Sequence, residues 1–424
     1  MRRGYAAYIP PSTSGMISAW LAVAALSALN GTLEPTFGSR VGDLEHATGV
    51  DVATMSLTLA AFPFGLIAGG LLASAVMARY DTRPCLLFGV VGAFTPLVTT
   101  AALVMLDTPL SALRLALPLA WGTAGIGCGL LDTSHGVQAA TFGGKRVHAL
   151  GFLAVKGAGT VGAAGVGAWA IAEKVGVGPH LLGIGLVALC VGVPAALVLP
   201  RIGRSHRPTV ESPQAPDMGR AGLFALGGLA AAAVIPVGAI FMWGTSALVA
   251  LGASGWLVGS GLVVLSVTQV VSLCACWRWS VPGTEAQLMK ACGAIAGFGA
   301  VVLTVGAVLS SGGHGSAPAR DVGIAVAGIA LIGVGVAPVP VLIQRAASMV
   351  RTGRLGLTTR VSVVVTVQYT CQGAAILAVG LLGQVTGVVI SLTAVCSLCI
   401  AALPLGVQMM RRACSIPVPA EVTG

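Results

Sequence analysis

Three ionisable residues, Asp132, His135 and Lys156, stand out because they interrupt long apolar stretches of the sequence. A charge at the centre of a membrane helix costs about 2.5–3.5 kcal/mol on insertion scales, so such residues usually face a protein interior or a water-filled cavity. His135 follows Asp132 by three residues and therefore lies on the same face of a helix. Side chains of these types can form an ion pair or pass a proton from one group to another.

If the two stretches are consecutive membrane helices, Asp132 and Lys156 lie at the same depth. Asp132 comes about eight residues before the end of its stretch and Lys156 about seven after the start of the next, which puts both roughly 10–12 Å from the same face. Equal depth allows an ion pair between them. The alternative to a functional pair is a static one that only neutralises two buried charges.

Glu34 is another acid within an apolar stretch, and Asn30 precedes it by about one helical turn. A carboxyl at this depth is a candidate proton carrier, unless it lies at the membrane interface in contact with water. We predict that the proton-coupling residues are Asp132, Glu34, Lys156 and His135. Asp132 is favoured over Glu34 because it lies deeper and has two ionisable neighbours.

The composition is that of a membrane protein. Of the 424 residues, 56% are hydrophobic and only 8% are charged, against about 25% charged in an ordinary soluble domain. The mean hydropathy is +0.94, and the 60 glycines suit helices that approach closely in lipid. A net charge of +10 would suggest nucleic acid as a partner of a soluble protein. Here the basic residues lie in short loops, so no nucleic-acid partner is predicted.

Apolar runs of about 20 residues, which cross a hydrocarbon core of roughly 30 Å, occur twelve times along the chain. They cover approximately residues 14–36, 52–78, 85–106, 110–140, 149–172, 181–200, 221–248, 254–277, 288–310, 322–344, 361–382 and 386–410. We therefore predict an all-α integral membrane fold with twelve transmembrane helices in two six-helix halves.

The basic residues support this count and give an orientation. With the N-terminus inside, Lys156 falls within a span and four of the 23 Lys and Arg residues fall on outer loops, namely Arg40, Arg114, Lys174 and Arg320. The others fall on the inner side, as expected for cytoplasmic loops. We predict a multi-pass protein of the bacterial cytoplasmic membrane with both termini in the cytoplasm.

The longest polar break, residues 201–220, contains three prolines and four arginines. Such a composition is typical of a flexible linker. It divides the chain into an N-terminal six-helix half, residues 1–200, and a C-terminal six-helix half with a short cytoplasmic tail, residues 221–424.

Two six-helix halves joined by a basic loop is the layout of the major facilitator superfamily. After the second span, members commonly carry a Gly-x-x-x-Asp-Arg-x-Gly-Arg-Arg motif. Residues 74–83 retain two of its arginines, Arg79 and Arg83, but lack its first glycine, its aspartate and its second glycine.

Further motifs resemble a fucose-permease-like bacterial branch of that superfamily. Residues 36–40, Thr-Phe-Gly-Ser-Arg, are similar to its first outer loop, Thr-Trp-Ala-Ser-Arg. Residues 125–132 and Gln138 are similar to its fourth-span pattern Gly-x-Gly-x-Gly-Leu-Leu-Asp-x-x-x-Asn-x-Gln, with glycine in place of the asparagine. Residues 333–338 and Tyr369 extend the likeness into the C-terminal half.

The resemblance implies a secondary transporter and leaves its substrate open. Four polar residues within the spans are the predicted substrate contacts: Asn30, Gln138, Tyr369 and Gln372. The fifth-span signature of drug antiporters centres on Gly-Pro, whereas residues 157–165 here contain glycines and no proline. We interpret these glycines as sites of close helix packing.

We predict a proton-coupled secondary transporter of a small molecule, and favour export because facilitators rich in Gly, Ala and Arg often serve efflux. Proton-coupled uptake of a sugar-like or other nutrient is the alternative, and the fucose-permease likeness favours it. The chain contains no Gly-x-x-x-x-Gly-Lys-Ser/Thr loop, which argues against ATP as the driving force.

An enzyme is not predicted, because the six histidines are scattered without a metal-binding spacing. A non-transporting membrane sensor is less favoured, since such proteins usually carry a substantial soluble domain. We predict no cofactor and no metal. The predicted partners are a small-molecule substrate, protons and the lipid bilayer, and the protein is predicted to be a monomer.

The predicted orientation can be tested with single cysteines in a cysteine-free background. Cysteines at Glu45, Lys174 and Ser316 should react with an impermeant thiol reagent in intact cells, because these positions fall on outer loops. Cysteines at Thr82, Ser212 and Thr352 should not react. Strong labelling at Ser212 would contradict the inner placement of the central linker.

Overall fold

In a computed structural model the protein is helical, and the structure describes residues 13–143, 147–200, 218–279, 284–311, 319–350 and 357–414. Fourteen helices are found in these ranges. They are α1 (Thr13–Gly38), α2 (Val41–Thr48), α3 (Val52–Arg79), α4 (Thr82–Met105), α5 (Leu110–Gly143), α6 (Val147–Ala172), α7 (Val177–Val198), α8 (Gly219–Ala250), α9 (Trp256–Trp279), α10 (Glu285–Ser311), α11 (Ala319–Val336), α12 (Val339–Met349), α13 (Leu357–Thr386) and α14 (Val388–Cys414).

Twelve membrane spans can be counted among the described helices. Eleven segments are long and apolar enough to cross a membrane, and one of these joins α11 and α12 into a single broken span. The twelfth is α6, which has 26 residues and contains Lys156. Only α2, with eight residues, is too short to span. The predicted all-α fold of twelve transmembrane helices in two halves is confirmed, while most of the predicted linker, residues 201–217, lies outside the described residues.

The break between α11 and α12 follows from two prolines, Pro338 and Pro340, which have no N–H to donate. Within a continuous helix the N–H of residue 338 would bond the carbonyl of Val334. Instead, the hydroxyl of Ser272 on α9 donates to that carbonyl at 2.6 Å. A neighbouring helix therefore satisfies a backbone group that the proline leaves open, as a membrane interior requires.

The bundle has two ends: the terminal end, at which α1 begins and α14 ends, and the far end, at which α1 ends. At the far end the two halves are in direct contact. The Thr245 hydroxyl on α8 donates to the carbonyl of Gly38 at 2.9 Å, and Gly380 on α13 lies against Ser56 of α3 and Trp243 of α8. Gly259 on α9 lies against Ala168 of α6. These contacts hold the halves together at the far end.

Close backbone contact between α1 and α6 sets the geometry of the N-terminal half. A Cβ on Gly159 would lie 1.9 Å from the carbonyl oxygen of Ala28, and a Cβ on Gly31 would lie 2.0 Å from that of Lys156. No real side chain fits at such distances. The contact therefore requires glycine at both positions, which supports the interpretation of the α6 glycines as packing sites.

The burial of individual residues refines the choice of labelling sites. Thr82 is 1% exposed, so a cysteine there would stay unlabelled on either side of the membrane. Tyr80, which is 68% exposed at the same end of the bundle, is the better probe. Lys174 is exposed at the far end, whereas Ser212, Ser316 and Thr352 lie outside the described residues.

Two glycines of α6 provide a matched test of the packing. Gly159→Val should lower the free energy of unfolding by about 1–3 kcal/mol or more, because the added methyl groups meet the backbone of α1. Gly162→Val lies three residues away, where a Cβ would meet nothing within 4 Å, and should cost little. Thermal unfolding in detergent would compare the two. Equal losses would contradict a specific contact with α1.

Candidate functional site

Asp132 on α5 and Lys156 on α6 form an ion pair within the N-terminal half. The Lys156 Nζ atom lies 2.9 Å from Oδ1 and 3.1 Å from Oδ2 of Asp132. The side chain of Asp132 is 30% exposed and that of Lys156 is 33% exposed. A charged side chain that faced lipid would be costly, so we interpret this exposure as facing the inside of the bundle. The structure thus brings together the two residues whose equal depth suggested a pair.

Helix α1 supplies two further partners on one face. The amide Nδ2 of Asn30 donates to Oδ1 of Asp132 at 2.5 Å. One turn nearer the terminal end, the hydroxyl of Ser27 lies 2.8 Å from Nε2 of His135. Asn30 and Ser27 are three residues apart, so they lie on the same face of α1. The charged pair and the histidine are both connected to α1.

A hydroxyl ties this arrangement to the close contact between α1 and α6. The Thr160 Oγ1 atom lies 3.0 Å from the carbonyl oxygen of Gly31 and 3.1 Å from that of Lys156. Thr160 follows Lys156 by one turn and faces α1, as Lys156 does. The depth and rotation of Lys156 relative to α1 are therefore held by backbone contacts as well as by its own charge.

Glu34 lies on α1 about one turn from Asn30, close enough to interact electrostatically with both Lys156 and Asp132. Its carboxyl forms no hydrogen bond or ion pair with the residues that the structure describes. The three side chains comprise two acids and one base. The group therefore has one carboxyl more than it has cations.

The C-terminal half contributes Tyr369 of α13, which interacts electrostatically with Asp132, Lys156 and Glu34. Gln372 lies three residues further along the same helix and is 2% exposed. Its Nε2 atom lies against Gly238 of α8, and its Oε1 atom has no hydrogen-bond partner in the described part of the chain. Of the two residues predicted on α13, Tyr369 is the one that interacts electrostatically with the charged group.

Gln138 lies apart from this group. It is fully buried, and its Nε2 atom donates to the hydroxyl of Thr82 at 2.8 Å and to the carbonyl of Pro200 at 2.9 Å. These bonds join α5 to the start of α4 and to Pro200, two residues beyond the end of α7, toward the terminal end. The arrangement supports a structural role for Gln138 rather than the predicted contact with substrate.

Three residues near the group were not predicted from the sequence: Ser27, Thr160 and Cys128. Cys128 lies one turn before Asp132 and interacts electrostatically with Asp132, Lys156 and Glu34. A signal for Ser27 exists, because residues 27, 30 and 34 follow the i, i+3, i+7 spacing of one helix face. In the described part of the chain, no group of three or more His, Cys, Asp or Glu residues is placed to hold a metal ion.

No protein-family model matches the sequence, and no curated protein matches it. Solved structures do match. The D-xylose–proton symporter has a TM-score of 0.70 at 13% identity, with 92% of this chain and 97% of that chain covered. A bacterial homologue of the human lysosomal transporter Spinster has a TM-score of 0.65 at 14% identity, with 96% and 100% covered. The nucleoside transporter NupG has a TM-score of 0.64 at 13% identity, with 92% and 99% covered.

These structures show the fold of the chain. The chain has the twelve-helix fold of major facilitator transporters over nearly its whole length. At identities of 13–14% the likeness shows the fold alone. The more specific likeness to a fucose-permease-like branch remains a prediction.

The ion pair predicts a pattern of mutational effects. Removing one partner of a buried pair costs about 3–5 kcal/mol because it leaves an uncompensated charge, and partial exposure should place Asp132→Asn and Lys156→Met at or below the lower end of that range. The double variant should be more stable than either single variant. Thermal unfolding and expression level would measure this.

The exposed ion pair between Arg114 and Asp51, with a 3.1 Å separation, provides the control. Arg114→Gln should have little effect, because solvent screens exposed charges. If the losses from the two single variants of Asp132 and Lys156 simply add in the double variant, those residues do not stabilise each other.

Proposed function

We propose that the protein is a proton-coupled secondary transporter that exports a small polar molecule across the bacterial cytoplasmic membrane. The observation that carries the proposal is the group formed by Asp132, Lys156 and Glu34, which lies inside the membrane spans and includes Tyr369 from the other half. Charges at this depth are costly, so their presence indicates a polar pathway or binding site.

The contacts between the halves support alternating access. At the far end, Gly38 of α1 lies against Phe241 of α8, and Gly380 of α13 lies against Ser56 of α3. To open a path to the far side, the halves must separate at these contacts and meet at the terminal end instead. Bistable interfaces of this kind allow rigid-body rocking about a central site. The positive-inside pattern of the sequence predicts that the terminal end lies in the cytoplasm.

Glu34 is our candidate for the acid that carries the proton, in preference to Asp132. Asp132 already accepts contacts from Lys156 and Asn30, and its charge is balanced by the lysine. Glu34 has no such partner among the described residues. A carboxyl that gains and loses a proton during the cycle must not be held by a permanent counter-charge.

If Glu34 can hold either a proton or the substrate, but not both at once, the protein exchanges one for the other. Protons that enter the cell would then drive the substrate out, which is export. Uptake by proton symport is the alternative, and the D-xylose–proton symporter shows that this fold supports it. In either direction, Asn30, Tyr369 and Gln372 are the proposed substrate contacts, and His135 with Ser27 is the proposed route between Glu34 and the terminal end.

The first experiment finds the substrate. Culture medium and cell extract from cells that lack the gene should differ from those of parent cells in the transported compound, which would accumulate inside the mutant if the protein exports it. Accumulation in the medium would reverse the direction. If no compound changes and none moves in proteoliposomes, the protein is not a transporter.

The second experiment finds the proton carrier. In proteoliposomes with an imposed pH gradient, Glu34→Gln should abolish movement of the compound against its gradient, because an amide cannot release a proton. The double variant Asp132→Asn, Lys156→Met, which keeps Glu34, should retain uphill movement. The opposite pattern, with Glu34→Gln active and Asp132→Asn inactive, would assign the proton to Asp132.

A further inference from the structure

Four polar side chains at the far end of the N-terminal half are buried and have nitrogen or oxygen atoms without a hydrogen-bond partner. Arg40 is 2% exposed, His180 of α7 is 7% exposed, Thr36 of α1 is 1% exposed and Thr100 of α4 is fully buried. Among the described residues, nothing bonds the Nε and Nη1 atoms of Arg40, either ring nitrogen of His180, or the two threonine hydroxyls. Most buried polar groups in folded proteins are hydrogen-bonded, so several open groups in one region indicate a ligand.

The guanidinium of Arg40 is held at the start of α7. Its Nη2 atom donates to the carbonyl of Val175 and lies 3.1 Å from Oδ2 of Asp43. The side chain of Asp43 is 49% exposed, so water screens it and it balances the charge of Arg40 only in part. His180 follows Val175 by five residues and interacts electrostatically with Arg40. A buried cation with two open nitrogens therefore lies near a buried imidazole.

The packing of α1 on α7 brings Thr36 to the same region. A Cβ on Gly192 of α7 would lie 3.2 Å from Cδ1 of Leu29 on α1, and the two helices run in opposite directions. His180 precedes Gly192 by twelve residues and Arg40 follows Leu29 by eleven, so both lie at the far end. Thr36 follows Leu29 by two turns, which places it on the face of α1 that packs on α7, four residues before Arg40.

Helix α4 brings Thr100 to the level of His180. A Cβ on Gly178 of α7 would lie 2.7 Å from Cγ of Met105 and 3.6 Å from the carbonyl oxygen of Ala101, both on α4. Thr100 directly precedes Ala101, and His180 follows Gly178 by two residues. The same contacts leave little room between the two helices, so a ligand bound there must be small.

The chemistry of these groups selects an anion. A guanidinium can only donate, a hydroxyl can donate, and an imidazole carries at least one N–H. A water molecule could accept from these donors, but it would bring no negative charge to a buried cation. We infer that Arg40, His180, Thr36 and Thr100 form a binding site for a monoatomic anion of the size of chloride. The site is separate from the charged group around Asp132 and does not depend on the proposed transport.

Thermal unfolding of the purified protein in detergent tests the site. As sodium chloride replaces sodium gluconate at constant ionic strength, Tm should rise, because an ion that binds only the folded state stabilises it and gluconate is too large to enter. Thr100→Val keeps the shape of the side chain and should lower the affinity for chloride about tenfold, because it removes one hydrogen bond to a charged ligand. Thr99→Val is the matched control, since Thr99 is exposed and its hydroxyl donates to the carbonyl of Thr95, and it should keep the full response.

Two further measurements identify the ion and its cation. Arg40→Gln should abolish the response to chloride, whereas Arg114→Gln, which removes an exposed cation, should keep it. If Arg40→Gln does not fold, Thr100→Val decides. Crystals grown in sodium bromide should show an anomalous scattering peak within hydrogen-bonding distance of Arg40 and His180. Equal Tm values in chloride and gluconate, an undiminished response in Thr100→Val, or density without anomalous signal, which would be water, would each overturn the inference.

Discussion

The close approach of α1 to α6 is the constraint on which the charged group depends. Gly31 and Gly159 allow the two backbones to touch, and only at that separation can Asn30 reach Asp132 while Lys156 binds the same carboxylate. In lipid, helix association depends on such packing and on interhelical hydrogen bonds, because no hydrophobic force drives apolar helices together. The backbone contact and the ion pair thus reinforce each other.

Hydropathy and charge were sufficient to predict the spans, because both act on one dimension, the depth of a residue in the membrane. Depth also suggested that Asp132 and Lys156 could pair, and they are in contact. Rotation of a helix about its axis is set by its neighbours and is not encoded in depth. For this reason the sequence could not show that Gln138 faces Thr82 and Pro200, or that Glu34 has no partner among the described residues.

The two halves contribute differently to the central group. The N-terminal half supplies its charges from three helices that are tied together, whereas the C-terminal half supplies the hydroxyl and ring of Tyr369. The broken span of α11 and α12 also belongs to the C-terminal half, where Ser272 bonds the carbonyl that Pro338 leaves open. The charges of the group thus come from the N-terminal half, and the C-terminal half contributes Tyr369 to it.

An uncompensated carboxyl inside a membrane protein is costly when it is ionised and empty. In the proposed mechanism this cost is useful, because the state without proton or substrate is the least favourable one. In that mechanism the halves exchange their contacts mainly when Glu34 is protonated or has the substrate beside it. A balanced site would impose no such penalty and would allow the empty protein to change conformation freely, which would dissipate the proton gradient. The excess negative charge of Glu34 is therefore the feature that would couple the two movements.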